Sequence, residues 1–252
     1  MATQEELQKA NEELARAKED LERLNHFKTH LLALTSHQLK TPLGIIRGYA
    51  VLLREGFYGE MGTKAKDVLA KMEFAAGDLV SLVDNVIDLR KVEEGRIEYQ
   101  MAHMDFVKIA RQAAEELGHM ATSKGLNLSF EGPPGEISII GDAQKLRHVI
   151  QNLVDNAVKY TEQGFVRVKV EEKDGNAVLS VADSGIGIPA GISPFLFEEF
   201  VRDERVKHEI RGTGIGLNIA KNFVEAHKGK IWAESEGEGK GSTFYISIPK
   251  AQ

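Results

Sequence analysis

The chain has 252 residues, 42% of them hydrophobic, enough for one large domain or two ordinary ones with real cores. Lys and Arg number 32 against 38 Asp and Glu, a formal charge of −6 that argues against nucleic acid as the main partner. Zero cysteines exclude disulfides and thiolate metal sites. No apolar run approaches the ~20 residues that cross a bilayer, and the polar, acidic N-terminus is unlike a signal peptide, so a cytosolic location is expected.

The first segment, from Thr3 to about Phe27, is rich in Glu, Ala, Lys and Leu. Leu7, Ala10, Leu14, Ala17, Leu21 and Leu24 follow a three-four heptad rhythm, which predicts a parallel coiled coil weakened by its small Ala positions. After Leu24 the apolar line passes to Phe27, Leu31 and Leu34, a three-three-four step that breaks heptad phase. A stammer of this kind overwinds the coil locally. It either carries a signal into the next helical segment or merely joins two packing modes.

The helical pattern continues through Leu31 to Leu43, with His37 in its middle. Leu39, Leu43, Ile46, Ala50 and Leu53 recur at the spacing of one buried helix face. At 100° per residue His37 falls on the opposite side, exposed to another domain; an ordinary solvated histidine is the alternative. Pro42 lacks an N–H and crowds the carbonyl of Gln38, so a bend is expected about one turn after the histidine. The helix should end near Glu55, where Gly56 to Gly62 turns the chain and Thr63 looks like the N-cap of a second helix. Val68, Met72, Ala75, Leu79, Leu82, Val86 and Leu89 give that helix an apolar stripe reaching about Glu93. An antiparallel helical hairpin alone has too little to bury, so two copies are expected to form a dimeric four-helix bundle.

Periodicity stops at Gly95, which marks a domain boundary. Beyond it the pattern predicts a helix over 105–124 capped by Asp105, strands over 126–130 and 137–140, and a helix from Asp142 to Tyr160 that buries Leu146, Val149, Ile150, Leu153, Val154 and Ala157. Strands over 165–170 and 177–182 flank Asp174-Gly175-Asn176, a hairpin signal. A glycine-dotted stretch from Gly185 to Gly216 carries little periodicity, and a helix over 217–227 precedes strands over 230–234 and 242–248. This mixture predicts an α/β sandwich, a sheet with helices on one face.

Four clusters in the second domain carry chemistry. Asn152, Asn156, Lys159 and Tyr160 share one helix face; an Asn carbonyl is a neutral oxygen ligand suited to Mg²⁺, and Lys159 is a cation for phosphates, although helix-surface amides are usually inert. Asp183-Ser184-Gly185-Ile186-Gly187 follows an apolar run. A carboxylate at a strand end can accept a hydrogen bond from an adenine amino group while Gly185 and Gly187 let backbone approach the base; a turn with an Asx cap is the alternative. Gly212, Thr213, Gly214 and Gly216 lead into a helix at Leu217 whose N–H groups can cradle phosphate, yet there is no Gly-Lys-Ser/Thr ending and no strand feeds the loop directly. Between these, Phe197, Phe200, Arg202, Arg205 and Lys207 form an aromatic and basic segment able to close over a nucleotide.

From about residue 30 to the end the chain resembles the catalytic core of a sensor histidine kinase of two-component signalling. Ser36 to Leu43 resembles the H box, Asn152 to Thr161 the N box, Asp183 to Gly187 the G1 box, Phe197 to Phe200 the F box and Gly212 to Leu217 the G2 box, in the family's order. The resemblance implies a coiled-coil signalling helix over 1–30, a dimerisation and phosphotransfer domain over 31–94 and a Bergerat-type ATP-binding domain over 95–252. It further implies Asn156 as Mg²⁺ ligand with Asn152 assisting, Asp183 reading adenine, and Lys159 with the Gly212 to Gly216 loop holding phosphates. ATP and Mg²⁺ are the implied cofactors. The implied partners are a second copy of the chain and a response-regulator receiver domain. An upstream sensor domain is expected outside this chain, which would then be the cytoplasmic part of a larger receptor; a small soluble kinase is the alternative.

By that resemblance His37 takes the γ-phosphoryl group of ATP and passes it to an aspartate of the receiver domain. A histidine with a pKa near ~6.5 is largely neutral at pH 7 and needs little activation. Family members usually carry Asp or Glu directly after the histidine, where this chain has Gln38, which can only hydrogen-bond, so autophosphorylation is expected to be slower than with an acid there. Thr41 matches the position linked in the family to dephosphorylating the partner. Two rival readings remain: a non-catalytic nucleotide-gated dimer, favoured by Gln38, and a Bergerat ATPase clamp, disfavoured because such proteins place a Glu where Asn152 stands.

Overall fold

The computed structural model describes residues 39–199, 201, 203 and 214–251. The expected coiled coil and stammer, His37, Gln38, Phe200, Arg202, Arg205, Lys207, Gly212 and Thr213 lie outside the described residues, as does the Gln38 carbonyl on which the bend at Pro42 depends. The chain divides into two compact units, Met1–Glu94 and Gly95–Gln252.

In the first unit, residues 39–54 are helical (α1) and Thr63–Glu93 form α2. Lys40 pairs with Asp84 and Arg54 with Glu73 at 3.3 Å, so early residues of α1 meet late residues of α2 and the helices run antiparallel. The connection is made by Gly56 and Gly59 at φ of 85° and 110°, values that a side chain resists. The N-cap of α2 is Gly62, not Thr63: the Gly62 carbonyl accepts from the N–H groups of Ala65 and Lys66, which puts Thr63 inside the first turn with no capping bond. The buried face also differs from expectation. Leu89 of α2 and Ala50 of α1 are buried as expected, but Leu69, Ala76 and Val83 are buried in place of Val68, Met72, Leu79 and Leu82, which lie on the expected stripe and are 40–56% exposed. Leu39 and Ile46 of α1 are likewise exposed. Helix α2 is apolar on two sides, one facing the hairpin and one left open.

The second unit is an α/β sandwich. Its main sheet has the order β2-β4-β5-β7-β6, built from β2 (Asn127–Glu131), β4 (Phe165–Lys173), β5 (Asn176–Asp183), β7 (Ser242–Pro249) and β6 (Lys230–Glu234). Only the β2–β4 pair is parallel. Alternation puts Val166, Val168 and Val170, then Ala177, Leu179 and Val181, then Phe244, Ile246 and Ile248 on the covered face, all at most 6% exposed. Helices α3 (Phe106–Glu116), α5 (Ala143–Tyr160) and α6 (Gly216–Ala226) cover it with Phe106, Leu146, Ile150, Leu153, Ile219 and Phe223, each fully buried side chain contributing about 1.5–3 kcal/mol. The opposite face carries Trp232 stacked on Tyr245, centroids 4.9 Å apart.

Asp174 and Gly175 both take positive φ, 51° and 74°, as a two-residue hairpin loop between β4 and β5 requires. Asp142 caps α5 by accepting from the N–H groups of Gln144 and Lys145 at 3.0 and 3.1 Å. The helix expected over 105–124 is broken: α3, capped by Asp105, ends at Glu116, and α4 covers Gly118–Ser123. Gly118 is a poor helix former, and the Leu117 N–H bonds back only three residues, to Ala114. Strand β3 (Ser138–Gly141) does not join the main sheet but pairs antiparallel with β1 (Ala102–Asp105), a strand with no clear sequence signal.

Candidate functional site

The site builds on the end of β5. Strict alternation along Asn176–Asp183 puts Asp183 on the same covered face as Leu179 and Val181, so a carboxylate ends an otherwise apolar row and is only 7% exposed. Its Oδ1 accepts the Gly185 N–H at 2.8 Å, and its Oδ2 accepts the Ser242 hydroxyl at 2.5 Å. The Ser242 backbone N–H donates as well. Burial nonetheless dominates these donors and holds the Asp183 carboxyl above the usual carboxylate range. A carboxylate carries about four acceptor sites, so Asp183 keeps capacity for an amino group brought by a ligand.

Ser242 was not visible as a site residue from local sequence. It faces Asp183 because β5 and β7 pair antiparallel with these two residues in register.

The glycines after Asp183 also make room for the chain itself. A Cβ at Gly185 would stand 2.3 Å from the Tyr160 carbonyl oxygen and 2.9 Å from Thr161 Oγ1. At Gly187, where φ is 69°, it would stand 2.0 Å from the Gly237 carbonyl oxygen. Their small size lets the loop press against the end of α5 and the β6–β7 turn, a close approach that a side chain would block. The Ser235 hydroxyl locks that turn, accepting from the Ile188 N–H at 3.0 Å and donating to the Gly241 carbonyl at 2.7 Å.

Helix α5 presents the amide pair. Asn152 and Asn156 are half-buried, and among the described residues the only hydrogen bond of the Asn156 side chain is a long one, Nδ2 to Asn152 Oδ1 at 3.4 Å. Asn156 Oδ1 therefore accepts nothing among those residues. Lys159, on the next turn, donates to Asp155 Oδ2 at 2.7 Å, so its charge is already partly matched. Tyr160 is half-buried at the end of the helix.

Helix α6 starts against this pair. Gly216 is its first residue, and a Cβ there would meet Asn152 Oδ1 and Nδ2 at 2.7 and 2.8 Å. Gly214 takes φ of 71° just before it, and Leu217 is half-buried in the first turn. Asn218 Nδ2 donates to the Phe197 carbonyl at 3.1 Å, tying the segment after Gly187 to the same turn. Thus Asp183, Gly185, Gly187, Asn152, Asn156, Lys159, Tyr160, Phe197, Gly214, Gly216 and Leu217 belong to one unit. Thr41 lies on α1 of the other unit and is exposed.

No group of three or more His, Asp or Glu side chains able to hold a metal is found among the described residues. The available donor is the neutral oxygen of Asn156, which suits a hard cation completing its shell with water and phosphate. Among the described residues no helix is long and apolar enough to cross a membrane.

The second unit thus has the build of an ATP-binding α/β sandwich. Residues 141–252 match the family model described as histidine kinase-, DNA gyrase B-, and HSP90-like ATPase, and residues 27–95 match the His Kinase A phospho-acceptor domain. The chain is 31% identical over 230 residues to the circadian input-output histidine kinase CikA of Synechococcus elongatus, spanning 90% of this chain and 30% of that protein. It is 30% identical over 229 residues to the histidine protein kinase DivJ of Caulobacter vibrioides, spanning 90% of this chain and 38% of that one. The crystal structure of full-length ShkA in complex with AMPPNP superposes with a TM-score of 0.69 at 28% identity, over 88% of this chain and 46% of that one. The chain belongs to the sensor histidine kinases and comprises their catalytic core. It spans less than half the length of these three relatives.

Proposed function

We propose that the chain phosphorylates itself on His37 with ATP and passes the phosphoryl group to an aspartate of a response-regulator receiver domain. The observation that carries this reading is the packing of Gly216 against Asn152, which joins a helix N-terminus to an amide pair on α5, the helix whose end meets the loop after the buried Asp183. That arrangement offers backbone N–H groups for phosphates, a neutral oxygen for a cation and a buried acceptor for an amino group.

In this reading Asp183 orients the adenine, with Ser242 and Gly185 holding its carboxylate in place. Asn156, with Asn152 beside it, would hold Mg²⁺, which when bound neutralises charge on the phosphates. Lys159 and the N-terminus of α6 position the phosphate chain, and Phe197, Phe200 and Arg202 belong to the segment that covers it. An unprotonated ring nitrogen of His37 attacks the γ-phosphorus; a P–N bond forms, the bond to the β-phosphate oxygen breaks, and ADP leaves with that electron pair. The phosphorylated ring then loses the proton on its other nitrogen. Gln38 has no carboxylate to take it, so that proton must leave to another base. With a loose transition state, positioning and charge neutralisation supply most of the catalysis.

The open apolar side of α2 supports a homodimer in which residues 31–94 form a four-helix bundle, with 1–30 as the incoming coiled coil and 95–252 as the ATP-binding domain. Such a kinase works on the cytoplasmic side, where ATP and the receiver domain are found, and Thr41 would serve dephosphorylation of that partner.

The test is incubation with γ-labelled ATP and Mg²⁺. Acid-labile, alkali-stable label that disappears in His37→Ala is the expected result. Tight ATP binding without label supports instead a nucleotide-gated signalling dimer, the reading that Gln38 favours.

A further inference from the structure

The last four carbonyls of an α-helix have no donor within the helix. In α5 they belong to Ala157, Val158, Lys159 and Tyr160, and each is satisfied from outside. Thr161 Oγ1 donates to the Ala157 carbonyl at 2.7 Å, and the Ile186 N–H donates to that of Tyr160 at 3.2 Å. Lys124, the residue that ends α4, supplies the rest: its Nζ donates to Val158 O at 2.8 Å, Lys159 O at 2.9 Å and Thr161 O at 3.0 Å. An ammonium has three N–H donors, and all of them are used. They sit where the helix dipole is negative, the favourable end for a cation.

Lys124 is exposed along its length, but its ammonium is drawn partly out of water against these carbonyls, which lowers its pKa although Glu162 and Asp155 act to raise it. The turn it clamps is the one that carries Asn156, Lys159 and Tyr160. The same turn also receives the loop after Asp183 through the Ile186 bond, and the absence of a side chain at Gly185 makes room for that contact. The end of α5 is therefore held by two separate segments, the loop after Asp183 and Lys124.

We propose that Lys124 is a positioning residue for the nucleotide: it fixes the final turn of α5 and so holds Asn156 and Lys159 where they grip the phosphates. This rests on the proposed ATP-dependent function, but its test does not require phosphoryl transfer. Lys124→Met keeps the aliphatic stem and removes all three donors. Lys124→Arg keeps the charge and a planar set of donors.

ATP affinity by calorimetry, KM for ATP, thermal stability and amide exchange over residues 156–161 are compared with wild type in the full chain. In Lys124→Met, ATP binding is expected to weaken about tenfold. KM should rise by the same factor, amide exchange in the final turn should quicken, and Lys124→Arg should recover part of the affinity. A Lys124→Met protein with lowered thermal stability but affinity within about twofold of wild type would overturn the proposal. If that variant does not fold, Lys124→Gln, which loses the charge and keeps two donors, is judged by the same criterion. Wild type that binds ATP without labelling His37 would defeat the proposed function and leave the calorimetric comparison decisive for Lys124.

Discussion

Replacing Asp183 with Asn separates what the buried carboxylate does for the fold from what it does for the ligand. Asp183 is 7% exposed, and burial raises its pKa despite donors from Gly185 and Ser242. A carboxyl with a folded pKa above its unfolded value binds more protons in the native state. Its stabilising contribution is complete below the unfolded pKa, here the ordinary value of 3.8, and is lost as pH rises through the folded one. At pH 7 the ionised group is therefore a cost to the free protein.

An Asn keeps the acceptor for Gly185 and can donate to Ser242 Oγ, but turns an NH₂ group towards one of the donors that Ser242 presents. That mismatch costs about 1 kcal/mol against the charge relieved, so the ligand-free stability of Asp183→Asn should lie within about 1 kcal/mol of wild type at pH 7. Relative to wild type, the variant should gain stability as pH rises from acid to neutral. ATP affinity should fall sharply: losing a hydrogen bond to a charged acceptor costs about 1.5–3 kcal/mol, roughly 10- to 100-fold. Thermal melts from pH 4 to 8 without nucleotide, paired with calorimetric ATP titration, measure both. An unchanged affinity, or a loss of several kcal/mol at pH 7 in the free protein, would refute the reasoning.

Gly187→Ala should destabilise the second unit by about 2 kcal/mol or more in denaturant titration, because it combines left-handed backbone with a Cβ 2.0 Å from the Gly237 carbonyl. Leu79→Asp places a charge on the open side of α2, where Leu79 is 48% exposed, and sedimentation should show the dimer shifting to monomer while ATP binding by the second unit is kept. Gln38→Glu should autophosphorylate faster than wild type in an initial-rate assay; a rate no higher would sink the claim that a missing acid limits the reaction. Thr41→Ala should lose dephosphorylation of the labelled receiver partner while keeping autophosphorylation.

Features set by near neighbours were legible in the sequence. The start of α5 follows from Asp142, whose carboxylate reaches N–H groups two and three residues on, and its buried face follows from spacing alone. The β4–β5 hairpin follows from Asp174-Gly175, a pair that tolerates positive φ. The motif residues Asp183, Asn152, Asn156 and Gly216 could be picked out because each sits at an element end or on one helix face, where type and spacing limit its use.

Features that depend on a distant partner were decided by tertiary structure. Strand β1 forms because Ser138–Gly141 comes to lie beside it, and four residues carry too little alternation to announce that pairing. The face of α2 that packs within the hairpin could not be chosen from a helix apolar on two sides. Gly185 and Gly187 are glycines because the end of α5 and the β6–β7 turn close on them, contacts that local sequence does not encode. Ser242 reaches Asp183 only through the β5–β7 register, and Lys124 meets the last turn of α5 across 34 to 37 residues of chain. Backbone propensity and hydrophobic period act over a few residues, so they specify elements and their caps; hydrogen bonds between chain segments far apart exist only after the core has brought those segments together.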